Sequence, residues 1–102
     1  MALTGDCSNW QAGYARLPGP GKPTLIITGR CTFPTPGYSV TLKLVETQGT
    51  TYIVERIVEE PTGPQPQVLH AVDVYYRAET DVMYKKVYIR PDEVSVPVGA
   101  AP

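Results

Sequence analysis

Thr24-Leu25-Ile26-Ile27-Thr28-Gly29-Arg30-Cys31-Thr32-Phe33 runs into Pro34-Thr35-Pro36-Gly37, and Tyr38-Ser39-Val40-Thr41-Leu42-Lys43-Leu44 follows. In the first run Leu25, Ile27, Cys31 and Phe33 share one side of an extended segment. In the second, Tyr38, Val40, Leu42 and Leu44 alternate with Ser39, Thr41 and Lys43. A period of two places every second side chain on the same face of a strand, which predicts one buried and one wet face. The two prolines cannot donate to a strand ladder, so they end the first strand and delay the second. The stretch therefore reads as two β-strands joined by a stiff loop.

The same pattern continues outward. Thr24–Phe33, Tyr38–Glu46, Thr51–Glu59, Gln67–Arg77, Val82–Arg90 and Glu93–Val98 read as strands, rich in Val, Ile, Tyr and Thr. Between them lie the turn signals Gln48-Gly49-Thr50, Pro61-Thr62-Gly63-Pro64-Gln65-Pro66 and Glu79-Thr80-Asp81. Short strands at this spacing predict a sandwich or barrel. Two strands change phase. Ile53 and Ile57 oppose Tyr52, Val54 and Val58, and Val82 and Tyr84 give way to Val87 and Ile89 across Lys85-Lys86. Such a step marks a β-bulge or a strand covered on both faces, and two adjacent lysines favour the bulge.

Residues 1–23 read differently, as an irregular segment packed on a β domain spanning 24–102. Leu17-Pro18-Gly19-Pro20-Gly21-Lys22-Pro23 suits neither a helix interior nor a central strand. Trp10, Tyr14 and Leu17 recur at helical spacing behind Ser8 and Asn9, enough for one or two turns of helix, with Trp10 as an anchor on the sandwich.

A chain of 102 residues has the size of one domain. Nine basic and ten acidic residues give a net charge of −1, without the cationic excess that backbone-driven nucleic-acid binding needs. No apolar run is long enough for a membrane helix. The start lacks the plan of a secretory signal, which fits the cytoplasm if Met1 is native and a periplasmic or exported protein if the chain is a mature one. Cys7 and Cys31 either close a disulfide loop or stay reduced, with Cys31 packed as a small hydrophobe. Two cysteines so spaced do not make a zinc site.

No catalytic arrangement emerges. His70, the one histidine, reads as a structural residue near a strand end, and Asp73 points to the opposite face. Asp73, Glu79, Asp81 and Asp92-Glu93 lack the dense ligand spacing of a calcium loop. Gly19 and Gly21 alternate with prolines and so lack the backbone N–H groups of a phosphate loop. No cofactor is expected. The candidate contact surfaces are Pro34, Thr35, Pro36 and Gly37 in the loop, and an aromatic–cationic face. Tyr84, Lys86, Tyr88 and Arg90 share one parity, and Tyr75 and Arg77 share another. If their strands pair, tyrosines and long cations interleave on one surface that can stack on sugars, bases or aromatic side chains. The plainer expectation is that these groups cover a sheet face.

Trp10, Leu17-Pro18-Gly19, Leu25, Gly29, Thr32 and Pro34-Thr35-Pro36-Gly37-Tyr38-Ser39-Val40-Thr41-Leu42, with Pro66-Gln67-Val68-Leu69, Val74-Tyr75-Tyr76 and Val87-Tyr88-Ile89, resemble small bacterial proteins of uncharacterised function with an immunoglobulin-like β-sandwich. Phe33-Pro34-Thr35-Pro36-Gly37-Tyr38 is also similar to a loop of chagasin-type cysteine protease inhibitors, departing at its Asn and second Thr. The first resemblance implies a single immunoglobulin-like, Greek-key antiparallel sandwich of six to seven strands. The expectation is a non-catalytic module for a protein or extended peptide, with homo-oligomerisation through edge strands as a further route. Protease inhibition is the alternative.

Overall fold

Strand alternation organises the computed structural model, which describes residues 6–15, 23–80 and 82–100. Seven strands form: β1 (Asp6–Ala15), β2 (Thr24–Phe33), β3 (Ser39–Gln48), β4 (Thr51–Glu59), β5 (His70–Glu79), β6 (Lys86–Arg90) and β7 (Val94–Ala100). They lie in the order β3-β4-β6-β7-β1-β2-β5. The all-β expectation holds, and no helix occurs among the described residues.

The sheet is mixed where a purely antiparallel one was expected. β1 pairs with β7 in parallel, and so does β4 with β6. β7 makes the sheet continuous. Its first half pairs antiparallel with β6, from Ile89↔Val94 to Lys86↔Pro97, and its end pairs with β1 from Ala12↔Val98 onward. Pro97, which cannot donate to a ladder, stands where the strand changes partner. The outermost strands, β3 and β5, lie against each other without a ladder, so the sheet curls almost into a barrel.

The core fills that curl. Leu25, Ile27, Cys31 and Phe33 of β2 are fully buried, as their alternation requires. Val40 and Leu42 of β3, Tyr52 and Val54 of β4, Val74 of β5, Val87 and Ile89 of β6, and Val96 of β7 close over them. Leu44 departs from its pattern and is 42% exposed. β3 shifts register between Leu44 and Glu46, which breaks the alternation at that point. Opposite this bulge, Tyr52, Ile53 and Val54 are buried in succession. The phase change read in β4 thus has its irregularity in the partner strand.

The largest correction concerns the N-terminus. Trp10 and Tyr14 lie on a strand, not a helical turn, because β1 finds partners on both sides, antiparallel β2 and parallel β7. A register shift between Ser8 and Gln11, with Asn9 at φ 59°, brings Cys7 and then Trp10, Ala12 and Tyr14 inward. Asparagine tolerates that left-handed backbone better than most residues. Cys7 and Cys31 are register partners on β1 and β2 and form a disulfide. The Gly/Pro tract over 17–22 and Asp81 lie outside the described residues.

β6 begins at Lys86, later than the expected Val82, because Tyr14 holds the preceding segment off the ladder. Its buried hydroxyl donates to the Val82 carbonyl at 3.1 Å, accepts from the Tyr84 amide at 2.9 Å and meets Thr80 Oγ1 at 3.2 Å. The amides of Lys85 and Lys86 both donate to the Thr50 carbonyl, at 2.9 and 3.2 Å. That shared acceptor marks the phase change read at the two lysines. β5 likewise starts late, at His70, after a tight turn in which the Val68 amide donates to the Pro66 carbonyl at 3.0 Å.

Candidate functional site

The outward positions of β1, β2 and β5 line up across three strands. Ser8 opposes Arg30, which opposes Asp73. Gln11 opposes Thr28, which opposes Tyr75. Gly13 opposes Ile26, which opposes Arg77. This face is open, since the inward positions of the same strands already hold the core. At its centre Tyr75 is 61% exposed in mid-strand. Around it lies a shallow groove of about 380 Å³, lined by Asn9, Gln11, Thr28, Arg30 and Asp73.

Gly29 forms the floor. A Cβ there would run into the Trp10 ring, so the indole occupies the inward space that any other residue on β2 would fill. Trp10 Nε1 is buried without a hydrogen-bond partner. On the rim, Arg30 Nε and Asp73 Oδ1 are 3.7 Å apart and both side chains are exposed. So loose an ion pair contributes little stability and leaves both groups free to bond a ligand.

A second groove, about 480 Å³, lies on the outer side of β4 and β6 near the Pro91–Glu93 turn, bordered by Val45, Glu55, Tyr88, Arg90 and Glu93. Arg56 closes its inner side. The guanidinium grips one carboxylate oxygen of Asp92, from Nε at 3.0 Å and Nη2 at 2.8 Å, and Nη1 is buried without a partner. The groove mixes two cations with two carboxylates, and Arg90 is also 3.7 Å from Glu46. Its charges answer one another.

The expected aromatic–cationic face is divided. Three strands, β7, β1 and β2, separate β5 from β6, so Tyr75 and the Tyr84, Lys86, Tyr88 set do not share a surface. Tyr84 turns inward and meets the Tyr52 ring edge-on, with centroids 5.0 Å apart. Tyr88 borders the second groove, and Lys86 is exposed at the start of β6. The Tyr52 hydroxyl in turn lies 2.8 Å from that of Tyr76. Burial, then this hydrogen bond and the neighbouring phenols, push the Tyr52 pKa well above the usual tyrosine value.

The loop of Pro34, Thr35, Pro36 and Gly37 is seated rather than projecting. Phe33 and Tyr38 stack across its base with centroids 4.3 Å apart and planes 2° from parallel. Gly37 has φ 97°, and a Cβ there would stand 2.6 Å from that of Pro61. Thr35 and Pro36 are half-buried, while Pro34 and Gly37 are exposed. His70 sits exposed at the first position of β5, opposite Phe33. Among the described residues, no three His, Cys, Asp or Glu side chains gather as metal ligands.

Of the groove residues only Tyr75 was a sequence candidate. Asn9 and Gln11 fell in a segment read as irregular, and Thr28 and Arg30 registered only as the wet face of a strand. The usable signal was the alternation of Trp10, Ala12 and Tyr14 with Gln11 and Gly13. Comparisons with family models, curated proteins and solved structures give no match. No described helix is long and apolar enough to cross a membrane.

Proposed function

We propose that this chain is a non-catalytic binding module whose contact surface is the outer face of β1, β2 and β5. The observation that carries the reading is Tyr75, a large aromatic left mostly exposed in mid-strand above a groove rimmed by amides, a hydroxyl and an ion pair. An aromatic ring with one wet end offers apolar area and a hydrogen bond together, at little cost in side-chain entropy. The immunoglobulin-like sandwich remains our reading of the architecture. It is supported by two groups of strands, β1-β2-β5 and β3-β4-β6, that β7 joins.

The test is affinity capture on the immobilised protein, with retained protein and total sugar both measured. Tyr75→Ala should lose the retained material while Tyr84→Phe keeps it. Equal retention by folded wild type and Tyr75→Ala would remove this face from the function.

A second reading, inhibition of papain-like proteases by the Pro34–Tyr38 loop, draws support from the stacked base that stiffens it. Titration against such an enzyme tests it, and full residual activity at micromolar inhibitor ends it.

A further inference from the structure

We infer that the ligand of the Tyr75 groove is a short, uncharged saccharide chain, an inference that rests on the binding face proposed above. Charge is the first argument. Along the outward side of β5, Asp73, Tyr75, Arg77 and Glu79 alternate in sign, and Arg30 answers Asp73 from β2. Two cations and two carboxylates leave no net field to attract a phosphate backbone, an acidic peptide or a basic one.

Shape is the second argument. Gln11, Thr28 and Tyr75 stand in one row across three strands, and neighbouring strands lie about 4.8 Å apart, so the row runs for about 10 Å. That is roughly the length of two sugar rings. The aliphatic face of a pyranose would rest on the exposed Tyr75 ring. Its equatorial hydroxyls would meet side chains that both donate and accept, Gln11, Asn9 and Thr28, with Arg30 as a paired donor and Asp73 as a paired acceptor. A hydroxyl is itself both donor and acceptor, and this set of partners suits it at every position.

The third argument concerns the main competitor. An extended peptide gains most of its affinity by adding to an open strand edge. Here the outer edge of β5 stands beside β3, which takes up part of the room an added strand would need. The floor also favours a flat ligand. The backbone at Gly29 lines the centre of the groove, and Trp10 packs against it from inside.

The experiment is an amide-shift titration of the folded chain with hexasaccharides of β-linked glucose, β-linked N-acetylglucosamine and α-linked mannose, with heparin fragments as the anionic control. At least one neutral sugar should shift the amides of Gln11, Thr28, Gly29 and Tyr75, with little dependence on salt. Tyr75→Ala should weaken that sugar by about tenfold or more, and Tyr75→Phe should stay within about twofold, because stacking needs the ring and not the hydroxyl. Tyr75 is exposed, so neither variant should disturb the fold, and the unperturbed core amides check this. The inference is overturned if none of the neutral sugars shifts those amides at millimolar concentration, if Tyr75→Ala binds as wild type does, or if only heparin binds. Tyr75-dependent capture of protein without sugar would overturn the saccharide and leave the binding face standing. Loss of both would end both.

Discussion

Replacing Gly29 by alanine tests the packing under the proposed groove more sharply than any other single change. The backbone at Gly29 lies outside the left-handed region, so an alanine there carries no conformational penalty. The obstacle is the Trp10 ring. A Cβ would meet Cε3 and Cζ3 closely and stand 2.9 Å from Cδ2, all atoms of a rigid ring and not of a flexible chain end. Inserting a methyl into such a contact typically costs about 1–3 kcal/mol. It is opposed by the gain of about 0.5–1 kcal/mol that alanine has over glycine within a strand. The net is a destabilisation of up to about 2.5 kcal/mol, and each kcal/mol should lower Tm by about 4–8 °C in a domain of this size. Trp10 is the one tryptophan in the chain, so its emission reports displacement of the ring directly. In a Trp10→Ala background the obstacle is gone, and the same Gly29→Ala change should become neutral or stabilising. Thermal melts of the two singles and the double complete the cycle. A Gly29→Ala protein as stable as wild type, with unshifted emission, would refute the account of Gly29 as the space for Trp10.

Three further outcomes follow from the fold. Asp92→Asn should cost about 3–5 kcal/mol, because it leaves the nine-tenths buried Arg56 guanidinium without its counter-charge. The double variant Arg56→Met/Asp92→Leu should be more stable than Asp92→Asn in denaturant melts, and the reverse order would show that the pair is not a buried one. Reducing the Cys7–Cys31 disulfide, which closes a loop of sequence separation 24, should lower stability by about 3–4 kcal/mol on the chain-entropy account. An unchanged urea midpoint in reductant would contradict it. Because the Tyr52 pKa is raised in the folded state, the neutral phenol's contribution to stability is fully present below the unfolded value of about 10 and is lost as pH climbs past it. Alkaline melts should therefore show a decline above that pH that is smaller in Tyr52→Phe, and identical slopes would exclude Tyr52 as its source.

The strand bodies were legible because alternation is a local property. Thr24–Phe33 and Thr51–Glu59 have the limits that the periodicity predicts, and the buried face of β2 is the one that Leu25, Ile27, Cys31 and Phe33 mark. The misread ends have physical causes at a distance. Tyr14 holds Val82 and Tyr84 away from β6 through hydrogen bonds that span nearly seventy positions, and local pattern carries no trace of them. In β1 the bulge between Ser8 and Gln11 cuts the alternation short, and the four-residue spacing of Trp10 and Tyr14 suits a helical turn as well as a strand. A lone helical turn leaves most of its N–H and C=O groups without partners, whereas the strand satisfies them through β2 on one side and β7 on the other.

The surface was less legible for a related reason. Parity tells which residues face outward together along one strand, whereas a contact surface depends on which strands are neighbours. Tyr75 and Tyr88 were both outward candidates, and three intervening strands send them to different grooves. What sets those neighbours is the pairing of β1 with β2 and of β2 with β5, which brings Gln11 and Thr28 into line with Tyr75, while β7 ties β1 to the rest of the sheet. The proposed site therefore depends on the N-terminal strand that the sequence pattern concealed. Without β1, Tyr75 would stand on a face only two strands wide, with no amide at the far end of its row.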